Sequence, residues 1–247
     1  MIKFFKELVS SFKEGIAEAK EEIATEATEI KNSKKNDKER IEKIGYIESF
    51  GTALGAPFRI IIFGDWFTLF NNSDDDDSYP IHLYTFGAYP KLEDHKKDFT
   101  KFLKRDFGII DNESCVVTLS TFFRIGVIST DETILKNVAV TENIDAKMWD
   151  MNKNGSKAVL AVVLSHIISA STDVGFLQKT DALDLMKSII FFVKEHYSDW
   201  DSYAYDFAIG ESNIGLNNKI GKSYLTKYLG YLKDKKGSPR KNIIWST

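Results

Sequence analysis

The segment Met148–Lys153, MWDMNK, puts a carboxylate and an ammonium three residues apart beside an indole. On a helix Asp150 and Lys153 are neighbours that can pair, and Trp149 points to an adjacent face. With Asp145 nearby, the group could do acid–base chemistry against an aromatic wall, to which Trp200 would add. Further on, Trp200, Tyr203 and Phe207 recur at i, i+3 and i+7, one apolar stripe of a helix. The same spacing suits anchors of a core, and that reading is preferred. The sharper reading makes Trp149, Asp150, Lys153, Trp200 and Tyr203 the lining of a binding pocket, with no catalytic residue assigned among them.

Other chemistries fail on spacing. GLNNKIGKS (Gly215–Ser223) has five residues between Gly215 and Gly221 where a phosphate-cradling loop needs four before Gly-Lys-Ser. GESNIG (Gly210–Gly215) has Ile214 where a nucleophile elbow needs glycine. Asp74–Asp77 is an unbroken acidic run, without the alternation, central glycine and closing glutamate of a calcium loop, and reads as solvated loop. The histidines, His82, His95, His166 and His196, lie far apart, so no metal-binding cluster is expected and no cofactor is assigned. His166, within VVLSHIISA, is expected to be a hydrogen-bonded core residue. Cys115 beside Val116 and Val117 reads as a buried small hydrophobe.

Charge and composition narrow the class. The 247-residue chain is 43% hydrophobic and 28% charged, the balance of a globular protein rather than a disordered one. Its net charge is −3, and five of its 33 cations are arginine (Arg40, Arg59, Arg105, Arg124, Arg240). Nucleic-acid binding, which draws its affinity from phosphate contacts, is therefore not expected. The single cysteine excludes an internal disulfide. No signal peptide is expected, because charges interrupt the apolar residues of MIKFFKELVSSFKEG. Ala158–Ala170 is shorter than the ~20 residues of a membrane span, and Arg59 and Asp65 interrupt Ala53–Phe70, so no span is expected. The expected location is cytoplasmic.

The elements that must carry these residues are helical. Phe5, Val9, Phe12, Ile16, Ala19 and Ile23 recur at spacings of 4 and 3, a narrow coiled-coil seam on a long amphipathic helix over 2–31. Seven glutamates oppose five lysines in that span, which fits packing on the main domain or on a twin chain better than a membrane surface. Self-association through residues 5–30 follows as an expectation. The polar stretch KNSKKNDKERIEK (31–43) reads as a linker or solvated helical spacer, which divides the chain into 1–44 and 45–247. From residue 45 on, four prolines in the whole chain and long 3.6-residue periods favour an all-α domain. Helices are predicted at 45–70, 92–107, 112–126, 130–137, 145–171, 179–196, 199–210 and 222–235. Asp111, Ser129 and Ser198 are the expected caps. RIIIF (Arg59–Phe63) and Ile81–Phe86 carry β-type residues, so one short β hairpin near 58–90 is allowed for.

The order of four segments carries a family likeness: MWDMNK, VGFLQKTDAL (Val174–Leu183), YSDWDSYAYDFAIG (Tyr197–Gly210) and SPRKNIIW (Ser238–Trp245). With LKRDFGIIDNES (Leu103–Ser114) and LGA (Leu54–Ala56) upstream, these resemble a bacterial family known as domain of unknown function 1266. The likeness covers about residues 45–247 and leaves the N-terminal helix outside. Lys153 stands where the family pattern has Arg, Asp199 where it has Ser, Phe107 and Arg240 where it has Trp. The resemblance implies a mainly helical fold and no assigned chemistry. The expected function is a non-enzymatic protein–protein interaction module, of which a toxin-immunity protein is one kind. The alternative is an enzyme with an acidic and aromatic pocket around Asp150 and Trp200.

Overall fold

The structure, a computed structural model, describes residues 37–63, 80–89, 92–128, 154–210, 229–230, 232–233 and 235–245. The chain divides into two units, Met1–Lys43 and Ile44–Thr247. In the first, residues 37–41 are helical. The seam of residues 5–30 lies outside the described residues, as does the helix expected at 130–137.

The second unit is built from helices α1 (Tyr46–Leu54), α2 (Ala56–Phe63), α3 (Leu92–Phe107), α4 (Asn112–Ile128), α5 (Ser156–Asp173), α6 (Lys179–His196), α7 (Trp200–Gly210) and α8 (Pro239–Asn242). The fold is all-α. The allowance for a β hairpin near 58–90 is corrected: Arg59–Phe63 lies within α2, and Ile81–Leu83 forms a 3-10 turn rather than a strand. β-branched and aromatic residues favour strands only where a neighbouring strand offers a pleated surface to pack on.

Helix α5 is the hub. SKAVLAVVLSHIISASTD is apolar or small on every side, and every residue of it except Lys157 is buried. A helix without a polar face must be covered all round. Helices α1, α2, α3, α4, α6 and α7 all pack on it. Two glycines correct the expected helix limits here. The helix expected over 145–171 instead begins at Ser156, because Gly155 ahead of it is left-handed at φ 88°. The continuous helix expected from 45 breaks at Gly55, where a Cβ would lie 2.8 Å from Ser165 Oγ and 3.0 Å from the His166 amide nitrogen. The corner between α1 and α2 thus presses backbone against α5.

Reciprocal caps set two helix starts. The Ser114 N–H donates to Asp111 Oδ1 at 2.8 Å, and the Asp111 N–H donates back to Ser114 Oγ at 3.1 Å. At α7 the cap is Asp199 rather than the expected Ser198. Asp199 Oδ1 accepts from the Ser202 N–H at 2.7 Å, and the Asp199 N–H donates to Ser202 Oγ at 3.3 Å. These bonds hold both carboxyls below the ordinary carboxylate value. Asp and Ser are both good helix caps, so Asp199 serves as the N-cap of α7.

Candidate functional site

Of the expected site residues, Trp149, Asp150 and Lys153, with Asp145, lie outside the described residues. Trp200 and Tyr203 are brought together on α7, edge to face with ring centroids 6.2 Å apart. Both are buried and both spend their polar atoms on backbone. Trp200 Nε1 donates to the Ile243 carbonyl at 2.9 Å, and the Tyr203 hydroxyl donates to the Leu54 carbonyl at 3.2 Å. Phe50 of α1 lies 4.7 Å from the Trp200 ring and 5.1 Å from that of Trp245, which stands edge-on to Trp200 at 4.9 Å. Ser238 and Pro239 open α8 as N-cap and first residue, and the chain then returns Trp245 to this cluster. The aromatic group fastens the C-terminal segment to α1 and α7.

A second constellation was not anticipated. Arg59 of α2 and Asp173 of α5 form an ion pair with both side chains fully buried. Arg59 Nη1 donates to Asp173 Oδ2 at 2.8 Å, Nε to the His82 carbonyl at 2.8 Å and Nη2 to the Thr85 carbonyl at 3.2 Å. Its guanidinium also lies 5.4 Å from the Phe99 ring centroid and 5.7 Å from that of Tyr89. Asp173 accepts from the Gly87 N–H at 2.6 Å and from the Tyr89 hydroxyl at 3.2 Å. Burial pushes its carboxyl up from the ordinary value, while Arg59 and the Gly87 N–H pull it back. Burial likewise raises the Tyr89 phenol.

The pair's hydrogen bonds converge on residues 80–89, a strap that crosses the helices. Glu48 of α1 grips the strap from the other side. Its Oε1 accepts from the Thr85 hydroxyl, from the Phe86 N–H at 3.4 Å and from Lys179 Nζ at 2.7 Å. The Tyr84 hydroxyl donates to the Gly237 carbonyl at 2.9 Å, and Leu83, Tyr84 and Phe86 are fully buried. Gly87 takes φ 80°, and a Cβ there would stand 3.2 Å from Thr172 Cγ2. The strap is thus held by polar bonds to side chains of three helices, α1, α2 and α5, by the Gly237 carbonyl, and by three buried side chains.

Beside the pair lies His166, fully buried in the middle of α5. It corrects the expectation of a hydrogen-bonded histidine: neither ring nitrogen has a hydrogen-bond partner. The ring stands edge-on to Phe102 at 4.8 Å and to Phe58 at 5.6 Å, so aromatic packing holds it in place. Burial and then the Arg59 charge hold it well below the ordinary histidine value. It is neutral at pH 7. His82 in the strap is held low in the same way. Burial raises the Cys115 thiol, which is poorly set for nucleophilic chemistry. Among the described residues no group of three His, Cys, Asp or Glu could hold a metal ion. None of their helices is long and apolar enough to cross a membrane.

The sequence did carry a signal for the ion pair. Arg59 is the single charged residue of α2, and Asp173 is the single acid of α5, at its last position. Opposite charges placed singly in the most apolar helices must meet a partner or water.

A family model described as a protein of unknown function, DUF1266, matches residues 3–245. The match corrects the extent read from motifs alone, since it takes in the N-terminal segment as well. No curated protein and no solved structure matches the chain.

Proposed function

The chain belongs to the DUF1266 family, and we propose that it works by binding another protein rather than by catalysis. One observation carries this reading. Among the described residues the buried charged side chains are Arg59 and Asp173, and they are spent on each other and on the strap. Catalysis usually needs a charged or titratable group held out toward a substrate. Trp200 and Tyr203 face backbone carbonyls in the same closed manner.

The seam of Phe5, Val9, Phe12, Ile16, Ala19 and Ile23 supplies the binding element, on the sequence pattern. A narrow apolar stripe on an otherwise charged helix needs a partner helix, and a twin chain is the simplest partner. A toxin-neutralising immunity role falls within this reading, supported by the acid excess and the lack of a catalytic motif. The cytoplasm is the proposed place of action, supported by the lone cysteine. No nucleic acid and no cofactor enters it.

A photo-crosslinking residue at Phe12 of the full chain, irradiated inside the host cell, tests the proposal. Discrete protein adducts are expected, either at twice the chain's mass or at that of one other polypeptide. They should vanish when Val9 and Ile16 are both changed to glutamate. No discrete adduct, or adducts indifferent to the double substitution, overturns it.

A further inference from the structure

The outer face of α4 carries a short helix seam. Cys115, Leu119 and Phe122 turn inward and are buried. On the opposite side Glu113, Val117, Ser120 and Arg124 follow at spacings of 4, 3 and 4, and all four are exposed. That is the spacing of a stripe that faces a partner helix. Val116 flanks the stripe at 48% exposure, and Val117 within it is 50% exposed. Ile110, 57% exposed, stands just ahead of the helix with its N–H on Ser114 Oγ at 3.0 Å. Helix formation does not call for paired valines on an exposed face, since a β-branched side chain lowers helix propensity. The two charges stand at opposite ends of the stripe, and among the described residues neither has an ion-pair partner.

We propose that this face pairs with the same face of a second copy, α4 against α4, antiparallel and two-fold symmetric. Charge identifies the occupant. The stripe reads acid, valine, serine, base along the helix, so turned end over end it is its own complement. With the two-fold axis between Thr118 and Leu119, Glu113 of each copy meets Arg124 of the other, and Val117 meets Ser120. Parallel pairing would instead oppose Glu113 to Glu113 and Arg124 to Arg124. The small serine leaves room for the valine of the facing helix, so the two axes can approach to the usual ~8–10 Å. Antiparallel pairing also sets each helix N-terminus beside the other's C-terminus, which suits both macrodipoles. The stripe covers ~17 Å of helix, less than a permanent interface needs, so the pair is reversible and its population follows concentration. This face is separate from the N-terminal seam, and the pairing does not rest on it.

Sedimentation equilibrium of the full chain tests this, with Val9→Glu and Ile16→Glu present throughout to silence the N-terminal seam. The average mass is expected to rise toward two chains with concentration, and to rise less as salt is added. Glu113→Arg makes both ends of the stripe basic, and Arg124→Glu makes both acidic. Each alone is expected to weaken self-association at least about tenfold, because two attractions per dimer become two repulsions. Mixed in equal amounts, the two single variants are expected to recover that tenfold by pairing with each other. Glu113→Arg and Arg124→Glu in one chain are expected to restore self-association. Only exposed side chains change, so the fold is kept, and thermal melts check this. A parent chain that stays monomeric at every concentration overturns the proposal. Association that ignores the single reversals also overturns it, since the contact would then lie on another face. So does a mixture of the two single variants that stays apart, because the antiparallel register requires them to pair.

Discussion

Arg59 and Asp173 show how much a buried charge depends on its partner. Two charges taken out of water lose several kcal/mol of hydration each, and the pair recovers this only with good geometry and further hydrogen bonds. Here the carbonyls of His82 and Thr85, the Gly87 N–H and the Tyr89 hydroxyl supply them. Arg59→Met strands the carboxylate and is expected to cost ~3–5 kcal/mol. Arg59→Met with Asp173→Leu removes both charges together and should recover much of that loss. Urea midpoints at neutral pH of four chains, the unmodified one, Arg59→Met, Asp173→Leu and the double variant, measure the coupling; simple additivity would mean that the two charges do not depend on each other. Trp200→Ala, which empties a buried site and orphans the Ile243 carbonyl, should cost ~3–5 kcal/mol by the same measurement.

At the scale of elements, close backbone approach and caps decide where helices start and stop. Gly155, left-handed at φ 88°, lies so near α7 that a Cβ would fall 2.1 Å from the Gly210 nitrogen. A Cβ on Gly210 would lie 2.3 Å from the Gly155 carbonyl oxygen. Neither neighbour is a flexible side-chain end, so α5 and α7 would have to move apart. Gly210→Ala is expected to cost ~1–3 kcal/mol from overpacking, and Gly155→Ala more, because strain at positive φ adds to the clash. Thermal melts of both variants check the order, and a harmless Gly155→Ala would refute the contact. The α7 cap gives a milder contrast. Asp199→Ala should lose ~0.5–2 kcal/mol and Asp199→Ser much less, since a hydroxyl accepts from the same N–H.

For the whole molecule, acid stability follows from two histidines, His166 buried and His82 partly buried. His82 and His166 are held below the ordinary histidine value when folded, and return to it when unfolded. Below about pH 6.5 the unfolded chain therefore binds protons that the folded chain refuses. The stability tied to these groups is complete above that pH. It falls as the pH drops, by up to ~1.4 kcal/mol per unit for each histidine. Asp173, raised by burial, acts in the opposite sense nearer pH 4. Urea midpoints from pH 8 to 5 should trace the fall, and a flat profile would contradict the burial of both rings. The division at Lys43 and Ile44 leads to one more expectation. A chain of residues 44–247 should keep a cooperative thermal transition, because the polar stretch 31–43 has little apolar surface to give the core. Loss of that transition would make the N-terminal segment part of the core, as the span of the family match allows.

By itself the sequence determined what is local. The 3.6-residue period marked helices 92–107 and 179–196 at their observed limits, and the stripe of Trp200, Tyr203 and Phe207 was legible as an inward face. Both follow from short-range regularity, in which each residue's neighbours are three or four positions away. Asp111 could be recognised as a cap for the same reason. Tertiary structure decided what is distant. Arg59 meets Asp173 across 114 positions, and Trp200 bonds to Ile243 across 43. An apolar period tells which face turns inward but not which face it meets. For that reason Ile81–Leu83, with no strand among the described residues to pair with, became a turn in a strap. The same ignorance hid the partnerless imidazole of His166: its aromatic box is assembled from α2 and α3, and exists only once those helices close on α5.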